Sequence, residues 1–249
     1  GGAVIEDSGT TLTLKGGAAI NGNSVQSGLG SGGGVFMKGD GSIFTMESGT
    51  ISNNTATGNG GGVAAAGGTF TMTGGIISGN TAVSGGGVYG ANFSSYHGTI
   101  IVKGSSEISG NTATATGTLA GGGIYSGYKL TVGDSAQIKT NHASGYGGGI
   151  ATREDSSFDF TGGTVSSNTA NGAGKGIYVS YFNSSPAYMK MSGGAKVDSN
   201  NDVHLGSTSG NPAFITVTGA LSNSPAATLT MDNGAGYTEG REVVKGGVY

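Results

Sequence analysis

Residues 60–84 read GGGVAAAGGTFTMTGGIISGNTAVS. Three apolar stretches stand in this run, at Val63, at Phe70/Met72 and at Ile76-Ile77, and glycine separates each from the next. Phe70-Thr71-Met72 alternates apolar and polar with period two, which puts one face of a strand inward and the other outward. No stretch carries apolar residues at i, i+3, i+4 and i+7, so nothing here supports a helix. Three residues after Ile77 comes Asn80.

The same unit recurs along the chain, and repeats of this length mark a stacked architecture. GGGV or GGGI stands at Gly32–Val35, Gly60–Val63, Gly85–Val88, Gly121–Ile124 and Gly147–Ile150, with weaker copies at Gly1–Val4 and Gly174–Ile177. The closing aliphatic returns after 31, 28, 25, 36, 26 and 27 residues. Alternating pairs follow at Leu12/Leu14, Phe44/Met46, Phe70/Met72, Ile100/Val102, Leu130/Val132, Phe158/Phe160 and Met189/Met191. A single aliphatic then appears at Ile20, Ile51, Ile77, Ile108, Ile138, Val165 and Val197. Three short strands per repeat, joined by tight turns, are the parts of one coil of a solenoid. The expected fold is all-β: a single right-handed parallel β-helix of about seven coils of three short strands. Equivalent side chains then stack as columns roughly 4.8 Å apart.

Composition agrees. The 55 glycines in 249 residues are about three times the usual share. Collagen would need a strict three-residue period and abundant proline, and there are 3 prolines. Hydrophobic residues make up 35% and the net charge is −3, which does not fit disorder. With 11 Lys and Arg spread thinly there is no basic stripe, so nucleic acid is not an expected partner. No apolar run approaches the roughly 18 residues of a membrane span. Without cysteine there is neither a disulfide scaffold nor a thiolate metal site. No cofactor, no metal and a monomeric state are expected.

The aliphatic-x-x-Asn phrase places an asparagine at 23, 54, 80, 111, 141, 168 and 200. A buried amide is costly unless paired. Stacked asparagines pair with each other, each NH₂ donating to the carbonyl of the next coil. A structural ladder of Asn23, Asn54, Asn80, Asn111, Asn141, Asn168 and Asn200 is therefore expected, rather than a ligand-binding rail.

Departures from the repeat fall in turns, where a solenoid tolerates them. GANFSSYHG (90–98), TREDSS (152–157) and SYFNSSPAY (180–188) all follow the first strand of their coils, and ATATGTLA (113–120) follows an asparagine. Residues 1–202 are assigned to repeat coils, and 203–249 to irregular final coils or a cap of the same domain.

ISGNTA with GGGVY (Ile77–Ala82, Gly85–Tyr89; Ile108–Ala113, Gly121–Tyr125) resembles the repeats of bacterial polymorphic outer-membrane proteins and related autotransporter passenger domains. Those carry a GGA-I/V/L motif and an F-x-x-N motif. Here Ile or Val replaces the Phe, and glycine replaces the Ala except at Gly1-Gly2-Ala3-Val4. The resemblance covers roughly residues 1–205. It implies a pectin-lyase-like β-helix, a secreted or cell-surface location and an adhesin-like role, and it supplies no catalytic residues.

Several chemical motifs fail on context. Gly28-Leu29-Gly30-Ser31-Gly32-Gly33 matches G-x-G-x-x-G, but no helix follows it. Gly174-Lys175 lacks the Ser or Thr of a P-loop, and His97, His142 and His204 stand singly rather than at metal-ligand spacing. The enzyme alternative is a polysaccharide lyase or glycoside hydrolase acting on an acidic glycan, by analogy of fold. Its candidates are Arg153, Glu154, Asp155, Asp159 and Lys175, and a solvated turn explains the same charges. The threonine column Thr13, Thr45, Thr71 and Thr131 suits ice binding, but Ile101, Asp159 and Lys190 interrupt it. The favoured reading is a non-enzymatic binding module. Equivalent turns stack on one edge, so Phe93, Tyr96, His97, Tyr128, Arg153, Asp155, Tyr181 and Phe182 would form a patch for a glycan or an extracellular protein.

Overall fold

The computed structural model describes residues 2–26, 31–93, 96–182, 185–208, 211–232 and 243–246, without the side chains of 92–93, 181–182, 185–186, 207–208 and 211–212. The chain winds as a parallel β-helix, and there is no helix among the described residues. The first sheet stacks nine strands, from Ala3–Ile5 through Val63–Ala65 to Leu229–Met231. A second sheet of nine begins at Thr11–Leu14 and ends at Val244–Gly246. The third sheet has seven strands, Ala19–Asn21 to Lys196–Val197. The tail thus continues two of the sheets beyond residue 203.

The columns follow from register. Val63 pairs with Val35 and Val88, Phe70 with Phe44 and Ile100, and Ile77 with Ile51 and Ile108. All are fully buried in one continuous core. Each such side chain contributes about 1.5–3 kcal/mol through burial. The Phe44 and Phe70 rings stack with centroids 5.1 Å apart.

The glycine phrase is set by backbone contact between coils. Gly60 has φ +68°, where an L side chain is strained. A Cβ on Gly61 would stand 2.5 Å from the Gly86 carbonyl oxygen, so the first-sheet turns stack without side chains. In the Ile177 coil the middle glycine is Lys175. The next coil carries Asn201-Asp202 in place of the glycine phrase, and the Lys175 N–H donates to Asp202 Oδ1 at 2.7 Å.

Three expectations are corrected. Six coils add a fourth strand, two residues long, seen as Thr81–Ala82 between Thr55–Ala56 and Thr112–Ala113. Its inward residue is alanine, too small to read as a strand in the sequence. The first coil aligns Ala3, not Val4, with Val35; Val4 faces solvent at 52% exposure. The last ladder amide is Asn201, not Asn200. Elsewhere the aliphatic and the asparagine are three residues apart, and the residue before each ladder amide from Asn23 to Asn168 is left-handed, as at Asn53, Thr140 and Ser167. After Val197 one more residue enters, and the Asn201 N–H closes a turn on the Asp198 carbonyl at 2.8 Å. Asn200 is left exposed, its amide 3.4 Å from Ser167 Oγ.

The other six asparagines sit in the predicted ladder. Asn80 Nδ2 donates to Asn111 Oδ1 at 2.9 Å and to the Ile51 carbonyl at 3.0 Å. Its Oδ1 accepts from the Asn54 amide and the Asn54 backbone N–H. The same pattern runs through Asn141 and Asn168 to Asn201.

Candidate binding edge and the face beside it

The turn from first to second strand carries the insertions, and backbone bonds hold successive turns together. Ala91 N–H donates to the Ala65 carbonyl, Gly127 to Gly90, Arg153 to Ser126 and Ser180 to Thr152. These turns form one edge. In the Val88 coil, Asn92–Phe93 pairs antiparallel with Tyr96–His97 as a hairpin. In the Ile177 coil, Tyr181–Phe182 pairs with Ser185–Pro186. A third hairpin, Ser207–Thr208 with Asn211–Pro212, follows Val203–Leu205 and lies beside Tyr181–Phe182. The sequence reading missed it because it falls in the irregular tail, although Gly210-Asn211-Pro212 is a turn signal. Each hairpin is closed at its base by the same bond: Gly98 to Ala91, Ala187 to Ser180 and Ala213 to Gly206.

Of the predicted patch, His97 and Tyr128 meet, with ring centroids 4.5 Å apart and planes at 21°. Lys129 Nζ stands 5.1 Å from the Tyr128 ring centroid. Tyr96 is exposed. The side chains of Phe93, Tyr181 and Phe182 lie outside the described residues. Arg153 Nε pairs with Glu154 Oε1 at 2.9 Å, and Asp155 occupies an exposed left-handed position at φ 60°.

The enzyme candidates are not gathered. Asp159 pairs with Lys190 at 3.7 Å on the outer face of the second sheet. Lys175 precedes the first strand of its coil, whereas Arg153 and Asp155 follow theirs, at the opposite end of that sheet. His142 Nδ1 is 2.9 Å from Thr169 Oγ1 in the fourth sheet. Among the described residues no group of three or more His, Cys, Asp or Glu could hold a metal. No helix among them is long and apolar enough to cross a membrane.

The first sheet's outer face adds residues that the sequence reading did not single out. Its outward column runs Val4, Phe36, Ala64, Tyr89, Tyr125, Ala151, Tyr178, His204, Thr230. Tyr89 and Tyr125 stack at 4.9 Å and 14°. Tyr178 stacks on His204 at 5.2 Å, and Tyr146 stacks on Tyr178 at 5.0 Å. His204 is buried, its ring nitrogens 2.9 Å from Thr230 Oγ1 and from Asp232 Oδ1. The usable signal was the Tyr that follows the closing aliphatic in GGGVY, GGGIY and GKGIY, an outward position on a strand of period two.

Burial moves the ionisation of three of these phenols to higher pH. Tyr89 is raised by burial against the opposing charge of Arg153. Tyr125 is raised well above the ordinary range, first by burial and then by Tyr89 and Glu154, with Arg153 opposing. Tyr178 is pushed up to about 12 by burial, Asp232 and Tyr146. The Arg153 charge on the edge thus acts on Tyr89 and Tyr125 of this row. No protein-family model, curated protein or solved structure matches the chain.

Proposed function

We propose that this chain is a non-enzymatic extracellular surface or adhesion module that binds a glycan or a matrix protein through the edge between its first and second sheets. The observation that carries the reading is the concentration of accessory structure there. Hairpins project from the Val88, Ile177 and Val203 coils, and the His97–Tyr128 stack lies between the first two. Insertions in stacked turns are the simplest way to build a contact surface on a solenoid. Aromatic rings beside an Arg suit sugar faces and protein hot spots alike. The resemblance of the repeats to bacterial surface proteins supports the location.

The test is binding to a glycan array and to matrix-protein or cell surfaces. Two variants are compared with wild type: His97→Ala with Tyr128→Ala, and the triple Tyr96→Ala, Tyr181→Ala, Phe182→Ala. Loss of about tenfold or more in affinity, with an unchanged unfolding midpoint, is expected. Equal binding by the folded variants rules the edge out. Cleavage of an acidic polysaccharide that disappears in Arg153→Ala replaces the module reading with the enzyme one.

A further inference from the structure

Over its first four coils the second sheet presents two outward columns. One runs Thr13, Thr45, Thr71, Ile101 and the other Thr11, Ile43, Thr69, Thr99, paired rung by rung with no register shift. The first column is legible as a sequence repeat, and the second follows from the pairing. The eight positions hold six threonines and two isoleucines, all β-branched and none charged. Each is exposed or half-buried, while Phe44, Phe70 and Ile100 between them are fully buried beneath the face. Thr114, Thr152 and Thr161 commit their hydroxyls to backbone carbonyls, whereas the six hydroxyls of the array have no protein partner among the described residues. The charges of Lys15, Glu47 and Lys103 come two residues later, past the ends of the strands. From the next coil onward charge enters the face itself, at Lys129, Asp159 and Lys190.

We infer that this threonine and isoleucine array is an ice-binding face. Its repeat is two-dimensional, about 4.8 Å from coil to coil and about 6.7 Å between successive outward positions of one strand. Oxygens on the prism face of hexagonal ice repeat at about 4.5 Å and about 7.4 Å, so from the first coil to the fourth the mismatch along the stack grows only to about 1 Å. The methyl groups border the first water layer without competing for its hydrogen bonds, and the unpartnered hydroxyls anchor that layer at lattice intervals. Ile101 supplies a methyl in place of a hydroxyl and leaves the array uncharged. An ion at such a position would orient water about itself, so the array ends at Lys129. The first sheet's outer face presents tyrosine rings instead, and that of the third carries the Glu107–Lys139 pair. The edge variants change none of the eight residues, so each reading stands or falls alone.

The test uses the whole chain in nanolitre osmometry and in partitioning into slowly grown ice. Wild type is expected to facet ice crystals, to open a gap between their melting and freezing points, and to be enriched in the ice. Thr71→Lys sets a charge at the centre of the array, and Lys190 already occupies the same column, so the fold accepts it. This variant should lose the gap and be excluded from ice as a bulk solute is, at an unchanged unfolding midpoint. Thr81→Lys, on the fourth sheet in the column that holds His142, should behave as wild type. The inference is overturned if wild type leaves ice growing as unfaceted discs with no gap, since strand propensity alone then accounts for the threonines. It is equally overturned if Thr71→Lys shapes ice as wild type does, or if Thr81→Lys is as damaging as Thr71→Lys.

Discussion

Asn80 shows how a polar residue can hold a core together. Its amide donates twice and accepts twice, and every partner is a group that the stack would otherwise leave unpaired. Removing the amide strands Asn54 and Asn111 as well. Asn80→Leu is therefore expected to cost about 1–3 kcal/mol, read as a fall in the guanidinium midpoint. The end of the ladder gives a sharper comparison between adjacent residues. Asn201→Ala leaves the Asn168 amide and backbone N–H without their acceptor and should destabilise by a similar amount. Asn200→Ala removes only an exposed contact and should stay within about 0.5 kcal/mol of wild type. Equal effects at the two positions would return the ladder to Asn200.

At the scale of the element, the first sheet differs from the other sheets because its outer face is sheltered by its own aromatic row. A phenol whose ionisation is raised on folding stabilises the native state below its unfolded value near 10. That contribution is lost as the pH climbs through 10 toward the folded value. Tyr178, at about 12, bounds the window. Stability should accordingly decline between roughly pH 10 and pH 12. In an absorbance titration of the phenolate band, Tyr89, Tyr125 and Tyr178 should ionise later than the exposed tyrosines. A single transition near pH 10 embracing all 10 tyrosines of the chain would show that the row is open to water.

Across the whole molecule, stacking makes the core continuous and leaves the hairpins as attachments. The Gly98 N–H already reaches the Ala91 carbonyl at 2.9 Å across the base of the first hairpin. Replacing residues 92–97 by a Gly-Gly link should thus shift the unfolding free energy by no more than about 1 kcal/mol. Phe70→Ala lies under the same coils and opens a cavity against Phe44 and Ile100, with an expected cost of about 3–5 kcal/mol. Guanidinium denaturation of the two variants measures both. A hairpin deletion as damaging as the core cavity would mean that the edge is part of the scaffold.

Sequence alone determined the winding of this chain. Phe70/Met72, Ile77 and Asn80 recur with a spacing that only stacked coils satisfy, and glycine recurs before the first strand, where successive turns meet backbone to backbone. That information is local and repeated, so each copy confirms the others. What only the tertiary structure decided depends on single departures from the repeat. One extra residue after Val197 moves the ladder from Asn200 to Asn201. Thr81-Ala82 becomes a strand because its neighbours above and below are extended, and alanine carries too little apolar signal to announce it. His97 and Tyr128 are 31 residues apart in sequence and Tyr146 and Tyr178 are 32 apart, yet each pair stacks one coil apart. Contacts of that kind are set by the length of the intervening coil, and coil length is where this sequence varies.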